Sequence, residues 1–166
     1  MFVQPRHHFT PIIRRILWLN HGYLAGDDTD SHIDTLARFC APDHICYVTC
    51  PNVADEHYSA LAAMEEELQE FRQADGPPYK LTPLPWPDAI HDEDGERLPA
   101  TYANFLIINE AVLLPVYGVD QDQDAIAVMK EIFPTRAIVL INCRPLIRQH
   151  GSLHCVTMQI PAGVVS

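Results

Sequence analysis

Three separated stretches hold the residues that could do chemistry. In GDDTDSHID, residues 26 to 34, four aspartates and His32 share nine positions, with Ile33 the one side chain suited to burial. Such crowding is either a solvated acidic turn whose aspartates cap backbone amides, or the seat of a cation. Farther along stand Tyr102 and Asn104, and near the end His154 and Cys155. A cysteine with a distant histidine and a carboxylate is the pattern of a nucleophilic site, because these partners need only meet in space. A lone cysteine in an apolar strand is by default a small core residue, so the residues alone leave both readings open.

The elements that would position these groups form a repeat. Residues 35–40 and 44–49 read as two short strands linked by Ala41-Pro42-Asp43. Residues 55–74 carry Tyr58, Leu61, Ala62, Leu68 and Phe71 at helical spacing, and Gly76-Pro77-Pro78 stops that helix. A strand at 79–84 follows, placed at a sheet edge by Pro83. The order then recurs: strands at 103–108 and 111–116, a helix at 122–133 and a strand at 136–141. Ala37-Arg38-Phe39 aligns with Ala103-Asn104-Phe105, as expected of a repeat architecture. Residues 15–19 (RILWL) read as the closing strand of an earlier unit, and 154–160 as the opening strand of a later one. In this frame His32 with Asp34, Tyr102 with Asn104, and His154 with Cys155 all stand at equivalent strand openings, where convergence on an axis brings them into one pocket. The proline-rich connection at 85–101 is long enough either to cover a site or to remain a solvated loop.

Composition narrows the partners. A formal net charge of −11 argues against nucleic acid and anionic membrane surfaces and suits a cationic small molecule. No apolar run approaches the roughly 18 residues of a membrane span, and Pro5, Pro11 and Arg14-Arg15 interrupt any signal-peptide core, so a cytoplasmic location is expected. Five cysteines, an odd count, read as reduced thiols. Cys40, His44, Cys46 and Cys50 could be imagined around zinc, but they lack the close pairs of structural zinc motifs, and no metal is expected.

GDDTDSHIDTLARF, LPATYANFLIINEAVLLPVYG and GSLHCVTMQIP, in this order, resemble the signature segments of the agmatine deiminase and bacterial-type peptidyl-arginine deiminase family. The resemblance covers residues 12–163 and implies an α/β fold. It would be part of a pentein-type five-bladed α/β propeller, with two complete strand-strand-helix-strand units and parts of two more. Residues 1–166 would then be a single partial deiminase domain, the family's C-terminal half.

The resemblance also implies roles. Cys155 matches the nucleophile that attacks the guanidinium carbon, His32 the general acid and base, and Asp34 the carboxylate that grips the guanidinium by paired hydrogen bonds. Asp28 and Asn104 join Asp34 as substrate-binding residues, with Asp28, Asp27 and Asp30 shaping the loop and its field. The implied reaction is a hydrolase step, agmatine to N-carbamoylputrescine and ammonia in putrescine biosynthesis, with no cofactor. Peptidyl or free arginine is the alternative substrate, and a truncated, non-catalytic fragment the alternative of another class. Ser31 departs from a glycine common in the family, and Arg148 to Ser152 from a more glycine-rich approach to the cysteine. Family members also carry a preceding half with a second guanidinium-binding aspartate. This chain is therefore expected to be inactive as a monomer, and to pair with a complementary half or another copy.

Overall fold

In the computed structural model, which describes residues 15–27, 32–160 and 163–164, the chain builds the same α/β unit twice. β1 (Ala37–Ala41) and β2 (His44–Val48) form an antiparallel hairpin with Arg38 opposite Cys46, and a bulge between Phe39 and Ala41 sets Cys40 off the regular pairing. A third strand parallel to β2 needs a crossover. Helix α1 (Tyr58–Glu70) supplies it, burying Leu61, Met64 and Leu68 before β3 (Lys80–Leu84) pairs with β2. β3 is an edge strand, so the amide that Pro83 lacks is not missed. The second unit repeats the plan: β4 (Leu106–Ile107) runs antiparallel to β5 (Ala111–Val116), α2 (Gln121–Ile132) crosses over, and β6 (Ala137–Asn142) pairs parallel to β5. One continuous core joins the units, from Leu61, Met64 and Leu84 through Tyr102 and Phe105 to Leu114 and Met129.

Four boundaries differ from expectation, each for a local reason. Helix α1 is shorter than 55–74 at both ends. Asp55 Oδ1 accepts the His57 amide ahead of the helix, and Phe71 turns extended into a bridge between Arg72 and Pro78. Residues 15–19 are not a buried strand. Ile16 and Trp18 are exposed, and the segment is tied instead to α1, where Glu67 accepts the Asn20 and His21 amides. Residues 154–160 are not a strand either. The His154 amide is spent on Asn104, and Thr157 returns its amide and hydroxyl to the His154 carbonyl, closing a 3-10 turn.

The fourth difference matters for the site. The expected strand at 103–108 shrinks to Leu106–Ile107. Continuing the observed register would set Asn104 opposite Pro115, which has no amide to donate. The ladder stops short of Asn104, and its side chain is released for other work.

Asp122, buried in the first turn of α2, organises the second unit. It accepts the Tyr102 hydroxyl at 2.7 Å and the amides of Tyr117 and Gly118 at 3.1 and 2.8 Å. Burial first, then the hydrogen bond to Asp122, pushes the Tyr102 phenol far above its ordinary pKa. Asp122→Ala should cost about 2–4 kcal/mol in urea denaturation, because several buried donors lose their acceptor together. Tyr102→Phe, which removes one donor, should cost only about 1 kcal/mol.

Candidate active site

The second link between the units is polar. Asp34 sits in a 3-10 turn, Ile33–Thr35, just before β1, and Asn104 stands two residues before β4. Asn104 is fully buried, and its Nδ2 donates to Asp34 Oδ2 at 3.0 Å. The other end of the same amide, Oδ1, accepts the His154 backbone amide at 2.7 Å and lies 3.6 Å from the Cys155 thiol, which donates to it. His154 closes the set, its Nδ1 lying 2.8 Å from Asp34 Oδ2. A carboxylate from the first unit, an amide from the second and the His154–Val156 turn thus meet across separations of up to 120 residues.

Arg38 braces the junction from β1. Its guanidinium donates to the Phe105 carbonyl at 2.9 Å and lies over the Phe105 ring, 5.0 Å from its centroid. Burial lowers the arginine's pKa while the facing Asp34 raises it. Arginine keeps its charge even so, and a fixed cation therefore lies beside Asp34. Thr101 adds a further tie, its hydroxyl donating to the Thr35 carbonyl at 2.7 Å.

The cysteines separate by environment. Cys46, Cys50 and Cys143 are buried, Cys40 is half-buried, and Cys155 is exposed. Burial pushes the Cys50 and Cys143 thiols up. The hydrogen bond with Cys40, then burial, pushes Cys46 up farther, while the same bond lowers Cys40. A thiol has to reach its target to react, so Cys155 is the one open to a small molecule. Gly151 keeps it so, since a Cβ there would lie 3.3 Å from the Cys155 Cβ. Among the described residues no group of three or more His, Cys, Asp or Glu side chains could hold a metal. His44, weighed as a zinc ligand, instead bonds the Thr82 hydroxyl at 2.8 Å.

The approach to His32 is anchored by a network invisible in the sequence. His57 is fully buried; its Nε2 accepts the Ala25 amide at 2.8 Å, so the ring's own proton lies on Nδ1, which meets Asp55 at 2.6 Å. Arg97 grips both oxygens of Asp55 at 3.1 and 2.9 Å. The same stretch of the 85–101 connection presses on Gly26, where φ is +78° and a Cβ would clash with the Arg97 carbonyl. His150 reaches the Gly26 carbonyl at 2.9 Å.

Of the residues singled out in the sequence, Asp34, Asn104, His154 and Cys155 come together. His32 is exposed at the head of the Asp34 turn, and its ring has no hydrogen-bond partner among the described residues. Asp28, with Asp30 and Ser31, lies outside the described residues. Tyr102 does not join the cluster; its hydroxyl turns inward to Asp122. Asn104, expected as a substrate contact, has its amide committed to Asp34 and the His154–Cys155 turn. Missed from sequence was the pairing of His154 with Asp34, whose one signal was a polar residue directly before the cysteine. No helix among the described residues is long and apolar enough to cross a membrane.

Comparison with known proteins adds identity to this geometry. The sequence model of the Porphyromonas-type peptidyl-arginine deiminase family matches residues 9–161. An agmatine deiminase of Stutzerimonas stutzeri is 30% identical over 167 residues, covering 90% of this chain and 45% of that protein. A structure named as a candidate arginine deiminase of Porphyromonas gingivalis superposes with a TM-score of 0.84 at 60% identity, over 86% of this chain and 42% of the other. A substrate-bound agmatine deiminase of C. jejuni gives a TM-score of 0.78 at 40% identity, over 85% and 40% of the two chains. The chain spans about half the length of the curated relatives it matches.

The Asp55 network has a pH signature. Burial alone would raise the Asp55 carboxyl, but hydrogen bonds from Arg97 and from the amide and ring of His57 outweigh it and hold the group well below the usual carboxylate range. A depressed folded-state pKa contributes stability above the unfolded value of about 3.9, and that contribution is lost as the pH falls toward the folded value. Melting temperatures of the wild-type protein should therefore drop steeply below about pH 4, and those of Asp55→Asn should start lower and fall less. Parallel curves would remove Asp55 from the acid response.

Proposed function

The chain belongs to the Porphyromonas-type peptidyl-arginine deiminase family, and from that premise we propose that it carries the nucleophilic half of a guanidine deiminase acting on agmatine. The observation that carries the reading is the exposed Cys155 thiol, joined through Asn104 to the Asp34 carboxylate. A guanidinium is planar, charged and weakly electrophilic, so a carboxylate has to fix it before a thiolate can reach its carbon.

On this reading Asp34 binds the guanidinium and the Cys155 thiolate adds to its central carbon. His32 gives a proton to one nitrogen, which leaves as ammonia, and the carbon stays on sulfur as an S-alkylthiouronium. His32, now a base, takes a proton from water. The resulting hydroxide adds to the same carbon, and the C–S bond breaks as the new hydroxyl gives its proton to solvent, releasing N-carbamoylputrescine and returning the thiolate. Covalent capture divides one difficult displacement into two easier steps. Asn104 serves the reaction by holding Asp34 and the cysteine turn in register, and Asp28 adds negative charge near the entering cation.

The same reading makes the two α/β units two blades of a five-bladed propeller, and places the reaction in the cytoplasm within putrescine synthesis. Exposed Ile16, Trp18 and Phe39 on the first unit, and Val139 and Leu140 on the second, support association with a complementary half or a second copy. A second reading, with arginine or peptidyl arginine as substrate, is favoured by the P. gingivalis structure named for arginine.

Ammonia release from agmatine, free arginine and an arginine peptide, assayed on the associated protein, tests both readings; agmatine should be turned over fastest. Cys155→Ser should abolish release, while serine at Cys40, Cys46, Cys50 or Cys143 should leave it measurable. His32→Ala should lower kcat by about 100-fold or more without shifting the melting temperature, because an exposed residue carries little packing. Retained turnover in Cys155→Ser would sink the assignment.

A further inference from the structure

The Asp34 carboxylate is not free to rotate. Oδ2 takes two donors already, Asn104 Nδ2 at 3.0 Å and His154 Nδ1 at 2.8 Å, whereas no described residue donates to Oδ1. The Asp34 side chain is largely sheltered and the His154 ring is about one-third exposed. The backbone that carries the imidazole is held as well: the His154 amide donates to Asn104 Oδ1 at 2.7 Å, and to the Asn104 carbonyl at 3.2 Å. Ring, backbone and amide form one closed circuit around a single carboxylate oxygen.

We propose that His154 is a positioning residue for the deiminase reaction, one that fixes the rotation of the Asp34 carboxylate and with it the plane in which the substrate guanidinium is gripped. This rests on the function proposed above and refines it. A guanidinium docks in the plane of the carboxylate that grips it, so an unrestrained carboxylate would carry the cation round with it. One oxygen pinned by His154 and Asn104 instead ties the cation's orientation to the turn that bears Cys155. Because His154 and Cys155 are adjacent in that turn, the oxygen that orients the substrate and the sulfur that attacks it are referenced to the same backbone. Loss of the His154 donor leaves Asp34 able to bind a guanidinium but no longer obliged to present it to sulfur. The cost should then fall on kcat rather than on KM, since misplacement by about 1 Å can cost on the order of 100-fold in rate.

The test compares His154→Ala with His154→Asn, whose amide nitrogen reaches roughly where Nδ1 stands. His154→Ala should lower kcat for agmatine by about 10–100-fold with KM changed little and the melting temperature unmoved, and His154→Asn should restore most of the loss. Independently of turnover, the ring 15N signals of the substrate-free protein should place the His154 proton on Nδ1 and should shift in Asp34→Asn. Wild-type kinetics in His154→Ala, equal damage in His154→Asn, or ring signals indifferent to Asp34 would overturn the proposal. If the associated wild-type protein turned over no guanidinium substrate, the reaction assignment would fall instead, and the ring signals alone would then decide whether His154 orients Asp34.

Discussion

The hydrogen bond between Asn104 Nδ2 and Asp34 Oδ2 is the interaction on which the rest of the candidate site depends. It crosses from one α/β unit to the other at a buried position, where an unpaired amide or carboxylate would be costly. Both ends of the Asn104 side chain are used, one on the carboxylate and one on the turn that bears Cys155. An amide is well suited to this, being donor at one end and acceptor at the other. A carboxylate there would repel Asp34, and an apolar residue would release the turn. The Arg38 guanidinium and the Thr101 hydroxyl, each spanning the same junction, keep the two units from sliding.

That bond exists because regular structure stops early. In an uninterrupted ladder Asn104 would be a strand residue; Pro115 opposite it removes the amide that would continue the pairing. The cysteine turn is set by the same economy of backbone donors, since the His154 amide spent on Asn104 cannot enter a strand. Catalytic candidates lie here on irregular segments clamped by regular ones, so that their side chains have few positions to choose between.

Much of this was legible in the sequence. Repetition of strand, strand, helix and strand was visible from periodicity and turn residues, and both copies form with the expected order. Equivalent strand openings of the repeat group His32, Asp34, Tyr102, Asn104, His154 and Cys155 in the sequence, and of these Asp34, Asn104, His154 and Cys155 meet. What escaped reading was decided by single long-range partners. RILWL has strand composition, yet whether it enters a sheet depends on Glu67 and α1, far along the chain. Tyr102 stands next to the site in sequence, but Asp122 draws it into the core. The anchoring of Ala25 and Gly26 by His57, Asp55 and Arg97 joins residues up to 71 apart, as Gly26 and Arg97 are, and no local pattern announces it.

On the proposed reading, the charge crowding of residues 26–34 serves the cation that Asp34 binds. Asp34 is joined to the Cys155 thiol through Asn104, and the Arg38 guanidinium lies beside it. The most direct measurement of the central claim is mass spectrometry of the protein quenched with acid during agmatine turnover, followed by proteolysis. The account predicts that the peptide bearing Cys155 gains the mass of one agmatine less one ammonia, while peptides bearing Cys40, Cys46, Cys50 and Cys143 are unchanged. An adduct on any of those four, or turnover that leaves no adduct on the protein, would contradict it.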